Sequence, residues 1–382
     1  MRGSKSRRGD AFLLKVELPR RPDGGRQYKY DTIHGSAKDA DRALAKLVHE
    51  VSEGIYFEPS TTLFGMYLEE WLEQTGDRLA AKSRERTQSI LDLHLKPALG
   101  HHPLSKLKPL HIQSYYTQAL RAGRGDRKPL SPATVLKHHH VIHRSLRQAV
   151  RWQLLARNPA EAVEPPKAVR KEMLALDSGQ TAALLAAADG DRLYVPILLA
   201  TSTGVRRGEM LGLRWADADL DAGTITVRQT IEETATGIAF KAPKTAKGRR
   251  TLPIGDCLVA ALKRHRDQQE RFSAGAGYQN NDLVFALPDG SPWSPAAFSL
   301  AFMRLVRSTN LPRVRFHDLR HTHATILLRE GVHPKIVSER LGHANIGITL
   351  DTYSHVLPGM QEEAARKFDV ALTAAIAERA AG

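Results

Sequence analysis

The residues of this chain whose types and spacing suit chemistry lie between positions 201 and 356, and they are arginines, lysines, histidines and a tyrosine. In TSTGVRRGEMLGLRW (201–215), Thr203 and Gly204 separate two helical runs. Arg206 then falls in the first turn of the second run, where unpaired backbone N–H groups attract anions. Glu209, three residues on, can pair with a neighbouring base and fix its orientation, or be half of an ordinary surface ion pair. KAPKTAKGRRT (241–251) reads as a basic finger between two β-like runs, carrying Lys241, Lys244, Lys247, Arg249 and Arg250 with Gly248 for a turn. Lys244, after Pro243, is the candidate for a positioned proton donor; a solvated turn on DNA phosphates is the competing reading. In RFHDLRHTHATILLREG (315–331), His317 and Arg320 share a helix face while Leu319, Ile326 and Leu327 face inward. His343 follows Leu341 and Gly342 at a helix end, and Tyr353 lies ten residues later in a short polar helix. On its own such a tyrosine is half-buried packing. The chemistry on offer is anion binding combined with proton transfer.

Other chemistries find no support. There is no GxxxxGK[ST], GxGxxG or HExxH motif, and a single cysteine, Cys257, rules out CxxC pairs and an internal disulfide framework. Cys257 is expected as a small core residue in a reducing compartment. His317 and His321 are four apart, a spacing that suits two metal ligands, but no acidic third ligand or catalytic glutamate accompanies them. His138, His139 and His140 cannot share one helix face, so a polar, phosphate-facing surface is expected there rather than a metal site. The expected metal set is therefore none.

The elements that must position these residues form several regions. In residues 1–55 the runs AFLLKVEL and RQYKYDTI, joined through Pro22, Asp23, Gly24 and Gly25, read as a hairpin. Ser36 caps a helix with Ala40, Leu44, Leu47 and Val51 on one side. Lys29 and Tyr30 lie on a strand that can enter a DNA groove. Residues 61–166 show helical periodicity at Leu63–Leu72, Ile90–Leu95, Ile112–Leu120 and Val135–Leu154. Pro159, Pro165 and Pro166 mark a linker. The following region mixes helices (178–187, 192–201 and several from 295 to 353) with the β-like runs TITVRQT, GIAFKA, RRTLPI and DLVFAL. A last helix, 361–380, carries Phe368, Leu372, Ala375 and Ile376 on one stripe, for a core or a neighbouring subunit. The fold class expected is multidomain and mainly α with small β-sheets: a three-stranded sheet plus helix, an all-helical domain, and a mixed α/β domain.

Over 382 residues, 56 Lys and Arg against 41 Asp and Glu leave a formal charge of +15, which points to a polyanionic partner. No basic amphipathic helix suits a membrane, no stretch is apolar enough to span one, and MRGSKSRRGD is no signal peptide, so a cytoplasmic protein is expected. The 1–54 region has 12 basic and 8 acidic residues, the helical region 16 and 9, and the much larger stretch 167–382 has 28 and 23, with Glu58 between the first two. The surplus is densest outside the candidate chemistry.

The ordered set TGVRRGE, PKT before a basic strand, FHDLRHTHAT, LGH and TLDTYSH resembles the tyrosine recombinase, or phage integrase, family across 172–357. The first two regions match only in overall pattern, as an arm-type DNA-binding domain (1–55) and a helical core-binding domain (61–166); 358–382 would be a tail that passes between subunits. The resemblance implies a site-specific recombinase that cuts and rejoins double-stranded DNA to integrate or excise a mobile element, as a homotetramer, without cofactors. It implies that Arg206 and Arg320 grip the scissile phosphate and that Tyr353 is the nucleophile. His317 would take the tyrosine's proton, His343 would donate to the phosphate, and Lys244 would protonate the leaving oxygen. Lys29, Arg207, Lys247 and Arg249 would be DNA contacts, and His321 and His323 supporting residues. Host DNA-bending and excision-directionality proteins would be further partners. A chromosome-dimer-resolving recombinase and an idle DNA-binding accessory protein are the alternatives. The added N-terminal domain argues against the first and the intact catalytic set against the second.

Overall fold

The computed structural model describes residues 3–18, 24–52, 61–122, 128–168, 173–243, 246–273, 277–353 and 360–381. The chain divides into two units, Met1–Arg170 and Lys171–Gly382. Lys244 and His355 lie outside the described residues.

The first unit opens with an antiparallel sheet in the order β1 (Gly3–Arg8), β2 (Ala11–Leu18), β3 (Gln27–His34), followed by α1 (Ala37–Ser52). In β2, Leu14 and Val16 point inward by strand alternation, and Val16 packs with Leu47 and Val51 of α1. Ser36 starts α1 reciprocally: its Oγ accepts from the Asp39 N–H, and Asp39 Oδ2 accepts from the Ser36 N–H. β1, GSKSRR, is exposed throughout and becomes a strand only by pairing with β2, so no apolar pattern announces it. Register corrects the placement of Lys29. It stands opposite Val16, on the face that meets α1, whereas Tyr30 stands opposite Lys15 on the open face. There the Lys15 ammonium lies 4.0 Å from the Tyr28 ring centroid.

The helical part comprises α2 (Phe64–Gly76), α3 (Ala81–Ile90), α4 (Lys96–Leu99), α5 (Pro109–Arg121) and α6 (Pro132–Arg151). A π-helical turn, Leu91–Leu95, joins α3 to α4 and puts Leu91 and Leu95 in the core with Tyr67, Trp71 and Ile142. The histidine run does not form the phosphate-facing surface expected of it. His138 is buried with Nδ1 2.7 Å from the Tyr115 hydroxyl, and His139 Nδ1 lies 2.9 Å from that of Tyr116. Two tyrosines of α5 satisfy two histidines of α6 internally, and only His140 is left exposed.

The second unit contains α7 (Ser178–Ala187), α8 (Tyr194–Thr203), α9 (Arg207–Leu211), β4 (Ala218–Asp219), β5 (Thr224–Val227), β6 (Thr230–Thr234), β7 (Gly237–Lys241) and β8 (Arg250–Pro253). Then follow α10 (Asp256–Ser273), α11 (Pro295–Arg307), α12 (Asp318–Arg329), α13 (Pro334–Leu341), α14 (Ile346–Tyr353) and α15 (Met360–Ala381). The strands form two sheets, β4-β5-β8 and β6-β7. The basic finger is therefore not a simple hairpin, since β7 pairs with β6 and β8 with β5. DLVFAL is not a strand: Leu283, Val284 and Phe285 are all buried rather than alternating, and its β-pairing is confined to isolated bridges from Leu283 and Ala286. Cys257 is exposed in the first turn of α10, because Leu258, Ala261 and Leu262 occupy the inward stripe. Phe368, Leu372 and Ile376 of α15 are exposed, so that stripe is not core within the chain. No described helix is long and apolar enough to cross a membrane.

Candidate active site

α8 is buried along nearly its whole length and ends on Gly204, whose φ of +66° turns the chain back. A Cβ there would lie 2.6 Å from Leu341 Cδ2 and 2.8 Å from His323 Cδ2, so both conformation and space require glycine. Arg206 is not inside the next helix but is its N-cap, and α9 has only five residues. The Arg206 N–H donates to Glu209 Oε2 (3.0 Å) and its Nη1 to Glu209 Oε1 (2.7 Å).

Glu209 is buried and holds a second cation, since Arg250 Nη2 donates to Oε2 at 2.9 Å. Arg250 is thus no finger residue. Its side chain turns inward, with Nε donating to the Arg340 carbonyl (2.7 Å) and Nη1 to that of Gly248 (3.1 Å). Burial alone would raise the Glu209 carboxyl, but Arg250 and then Arg206 outweigh it and hold the pKa below the usual range. The strand pattern carried the signal for Arg250: two residues before buried Leu252 in β8, it shares Leu252's face, whereas Arg249 is exposed.

Arg320 is 3% exposed and stapled to two helix ends. Its Nη1 donates to the Gly204 carbonyl and its Nη2 to the Leu341 carbonyl, both at 2.7 Å. Burial first, and then Arg206, lower its pKa. With Arg206 and Arg250 also near and Glu209 as their buried counter-charge, the cluster keeps a positive surplus that a dianionic or monoanionic ligand would offset.

The histidines ring this surplus. Gly342 (φ +66°) caps α13, a Cβ there would lie 2.9 Å from the Lys247 carbonyl oxygen, and His343 follows with Nδ1 2.8 Å from Thr349 Oγ1. Burial, then Arg320 and Arg206, pull the His343 pKa to about 4. Lys247 Nζ donates to the Ala344 carbonyl at 2.7 Å, beside His343. His317 is the N-cap of α12; partial desolvation of its ring and then Arg320 lower its pKa. His323 is buried and structural, with Nδ1 2.9 Å from the Thr201 carbonyl. Arg207 turns to α11, where Nη1 donates to Ser299 Oγ.

Tyr353 ends α14 with its ring among Ala324, Leu328, Val337 and Leu341. It is 2% exposed, and burial pushes its pKa up to about 12 against the opposing pull of Arg320. Its hydroxyl lies 2.8 Å from Nδ1 of His321, not against His317. Among the described residues, no group of three His, Cys, Asp or Glu side chains is arranged to hold a metal.

Two family models match: the phage integrase family over residues 175–359, and the N-terminal SAM-like domain of phage integrases over 63–120. The chain belongs to the phage integrase family. It is a tyrosine-type site-specific recombinase. The recombinase is 26% identical over 370 residues to a XerC-like tyrosine recombinase of Caldanaerobacter subterraneus, covering 90% of this chain and 92% of that one. It is 24% identical to the ICEBs1 integrase of Bacillus subtilis, covering 94% and 96%. In fold it is similar to the Tn1549 transposon integrase solved with transposon right-end DNA, with a TM-score of 0.66 at 22% identity over 79% of this chain and 98% of that one. A lambda integrase dimer on a core site gives 0.60 at 17% identity over 91% and 93%.

The structure thus gathers Arg206, Arg320, His317 and His343 into one electrostatic cluster that also reaches Tyr353. Arg207 instead bonds Ser299 of α11, and Arg249 is exposed. Sequence reasoning missed Arg250 as an internal partner and His321 as the neighbour of the tyrosine hydroxyl.

Proposed function

We propose that the recombinase is an integrase of a mobile element, and that it exchanges DNA strands through a 3′-phosphotyrosine link at Tyr353. The observation that carries this is the buried Arg320, held by the Gly204 and Leu341 carbonyls beside the Arg206–Glu209–Arg250 ion pairs and close enough to Tyr353 to act on its ionisation. Two guanidinium groups, always ionised and forked, suit the non-bridging oxygens of a phosphate that gains negative charge as phosphorus becomes five-coordinate. In this reading Arg206 and Arg320 grip that phosphate, His343 and His317 flank it, Tyr353 attacks phosphorus, and Lys244 protonates the departing 5′-oxygen. A phosphodiester is exchanged for an aryl phosphodiester of similar energy, so the reverse attack by a partner strand's 5′-hydroxyl needs no nucleotide. The cationic surplus also lowers the cost of a phenolate at the moment of attack.

Double-stranded DNA is the partner this reading requires. The open face of the N-terminal sheet, with Lys15, Tyr28 and Tyr30, supports a DNA-binding role for residues 1–55, with the contact shifted from Lys29 to its neighbours. The exposed Phe368, Leu372 and Ile376 of α15 support a homotetramer in which that helix docks on the next subunit. DNA-bending and directionality proteins of the host or element belong to the same proposal. The test uses duplexes that tile the DNA flanking the protein's own gene, nicked so that cleavage is trapped. Wild type is expected to form a denaturant-stable protein–DNA adduct, whereas Tyr353→Phe binds the same duplex and forms none; an adduct with Tyr353→Phe refutes the assignment.

A further inference from the structure

On α12, Arg320 and His321 are adjacent and so point about 100° apart around the helix axis. Arg320 turns to the Gly204 and Leu341 carbonyls, and His321 turns to α14, where its Nδ1 lies 2.8 Å from the Tyr353 hydroxyl. One turn back, His317 meets the His321 ring edge-on, with centroids 5.4 Å apart at 86°. His321 therefore stands between the nucleophile and the histidine that the family pattern nominates as its base. We propose that His321, rather than His317, orients Tyr353 and accepts its proton as the Oη–P bond forms. The inference rests on the tyrosine-nucleophile reading above.

A neutral imidazole has one N–H and one lone pair, so a phenol donating to Nδ1 fixes the remaining hydrogen on Nε2. The step balances. The Tyr353 O–H bond breaks and its proton passes to Nδ1; the Oη–P bond forms; the P–O5′ bond breaks; and O5′ is protonated by the acid assigned to Lys244. On reversal the imidazolium returns the proton to the phenol oxygen.

The surroundings explain why the pair is idle without DNA. Burial, then His317, lower His321 to about 4, with Asp318 opposing and Arg320 and Arg315 adding to the fall. Tyr353 is raised to about 12, so the phenol keeps its proton. Across the shared pocket lie Asp177 of the α7 cap and Arg329 of α12, and His343 couples to His321 from the α13–α14 connection. A phosphate held by Arg206 and Arg320 offsets the cations that depress His321 and favours the transfer only when substrate is in place.

The test is His321→Asn, whose Oδ1 can accept the same hydrogen bond but cannot take the proton. The substrate is the nicked duplex with sulfur replacing the bridging 5′-oxygen, which needs no acid on departure. On it Lys244→Ala is expected to recover wild-type cleavage, while His321→Asn stays about 10²–10⁴-fold slow with DNA affinity unchanged. The acid limb of the wild-type rate against pH is expected to vanish in His321→Asn and persist in His317→Asn. Wild-type rates for His321→Asn, or loss of the limb in His317→Asn, overturn the proposal. If His321→Asn does not fold, the His317→Asn profile decides alone. Adduct formation by wild type and its absence in Tyr353→Phe, run on the same duplex, separate failure of this inference from failure of the tyrosine reading.

Discussion

Replacing Glu209 by Gln tests the electrostatic account of the site most directly. The carboxylate is 4% exposed and accepts three hydrogen bonds, from Arg250 Nη2, the Arg206 backbone N–H and Arg206 Nη1. Glutamine keeps the shape but removes the carboxylate charge paired with both cations, and it turns an NH₂ toward a guanidinium donor. Breaking a buried pair by neutralising one partner costs about 3–5 kcal/mol. The buried Arg250 supplies most of this, because Arg206 keeps 41% of its side-chain surface in water and its attraction is screened. A loss of about 3 kcal/mol follows. For a unit of this size each kcal/mol shifts Tm by about 2–4 °C, so calorimetry of the full chain at neutral pH should show the transition of the second unit fall by about 6–12 °C. The sign of the pH dependence is determined by the depressed carboxyl. Its contribution is complete above the unfolded pKa of about 4.3 and is lost as pH falls through the lower folded value. The gap between wild type and Glu209→Gln should therefore close in acid. A Tm difference under 2 °C at neutral pH, or one that widens as pH falls, refutes the argument that Glu209 neutralises the arginine cluster.

Two further outcomes are expected. Gly204→Ala places a Cβ against Leu341 and His323 at φ +66° and displaces a carbonyl that Arg320 uses, so it should destabilise the second unit by about 2–4 kcal/mol and abolish cleavage; a stable, active variant, checked by urea unfolding and adduct assay, contradicts the stapled geometry. Removing residues 1–54 should spare adduct formation on a cleavage-site duplex but abolish integrative recombination between two sites, and unchanged integration would end the DNA-binding role proposed for the N-terminal sheet.

Patterns that are local in sequence were legible without coordinates. Ser36 and Asp39 satisfy each other within one helical turn, Gly204 ends a helix because only glycine tolerates that φ beside packed side chains, and the spacing of HDLR on one helix brings His317 and Arg320 to one end of it. The exposed strand β1 was not legible, because its order comes from pairing with β2 and from Lys5 reaching Asp41 of α1. The same holds for His138, whose type suggests a wet surface until Tyr115, 23 residues away, is brought against it.

At the site itself the sequence by itself determined the chemistry available: permanent cations, imidazoles and one phenol in a particular order. It could not determine which cation meets which anion or which imidazole meets the phenol. Arg250 reaches Glu209 across 41 residues, Arg320 reaches Gly204 across 116, and Tyr353 reaches His321 across 32. Each contact depends on where α8, β8, α12 and α14 come to rest in a shared core, and their packing depends on summed apolar burial that spacing along the chain does not encode. Tertiary structure thus decided that Arg250 faces inward, that Cys257 faces outward, and that His321 rather than His317 touches the Tyr353 hydroxyl.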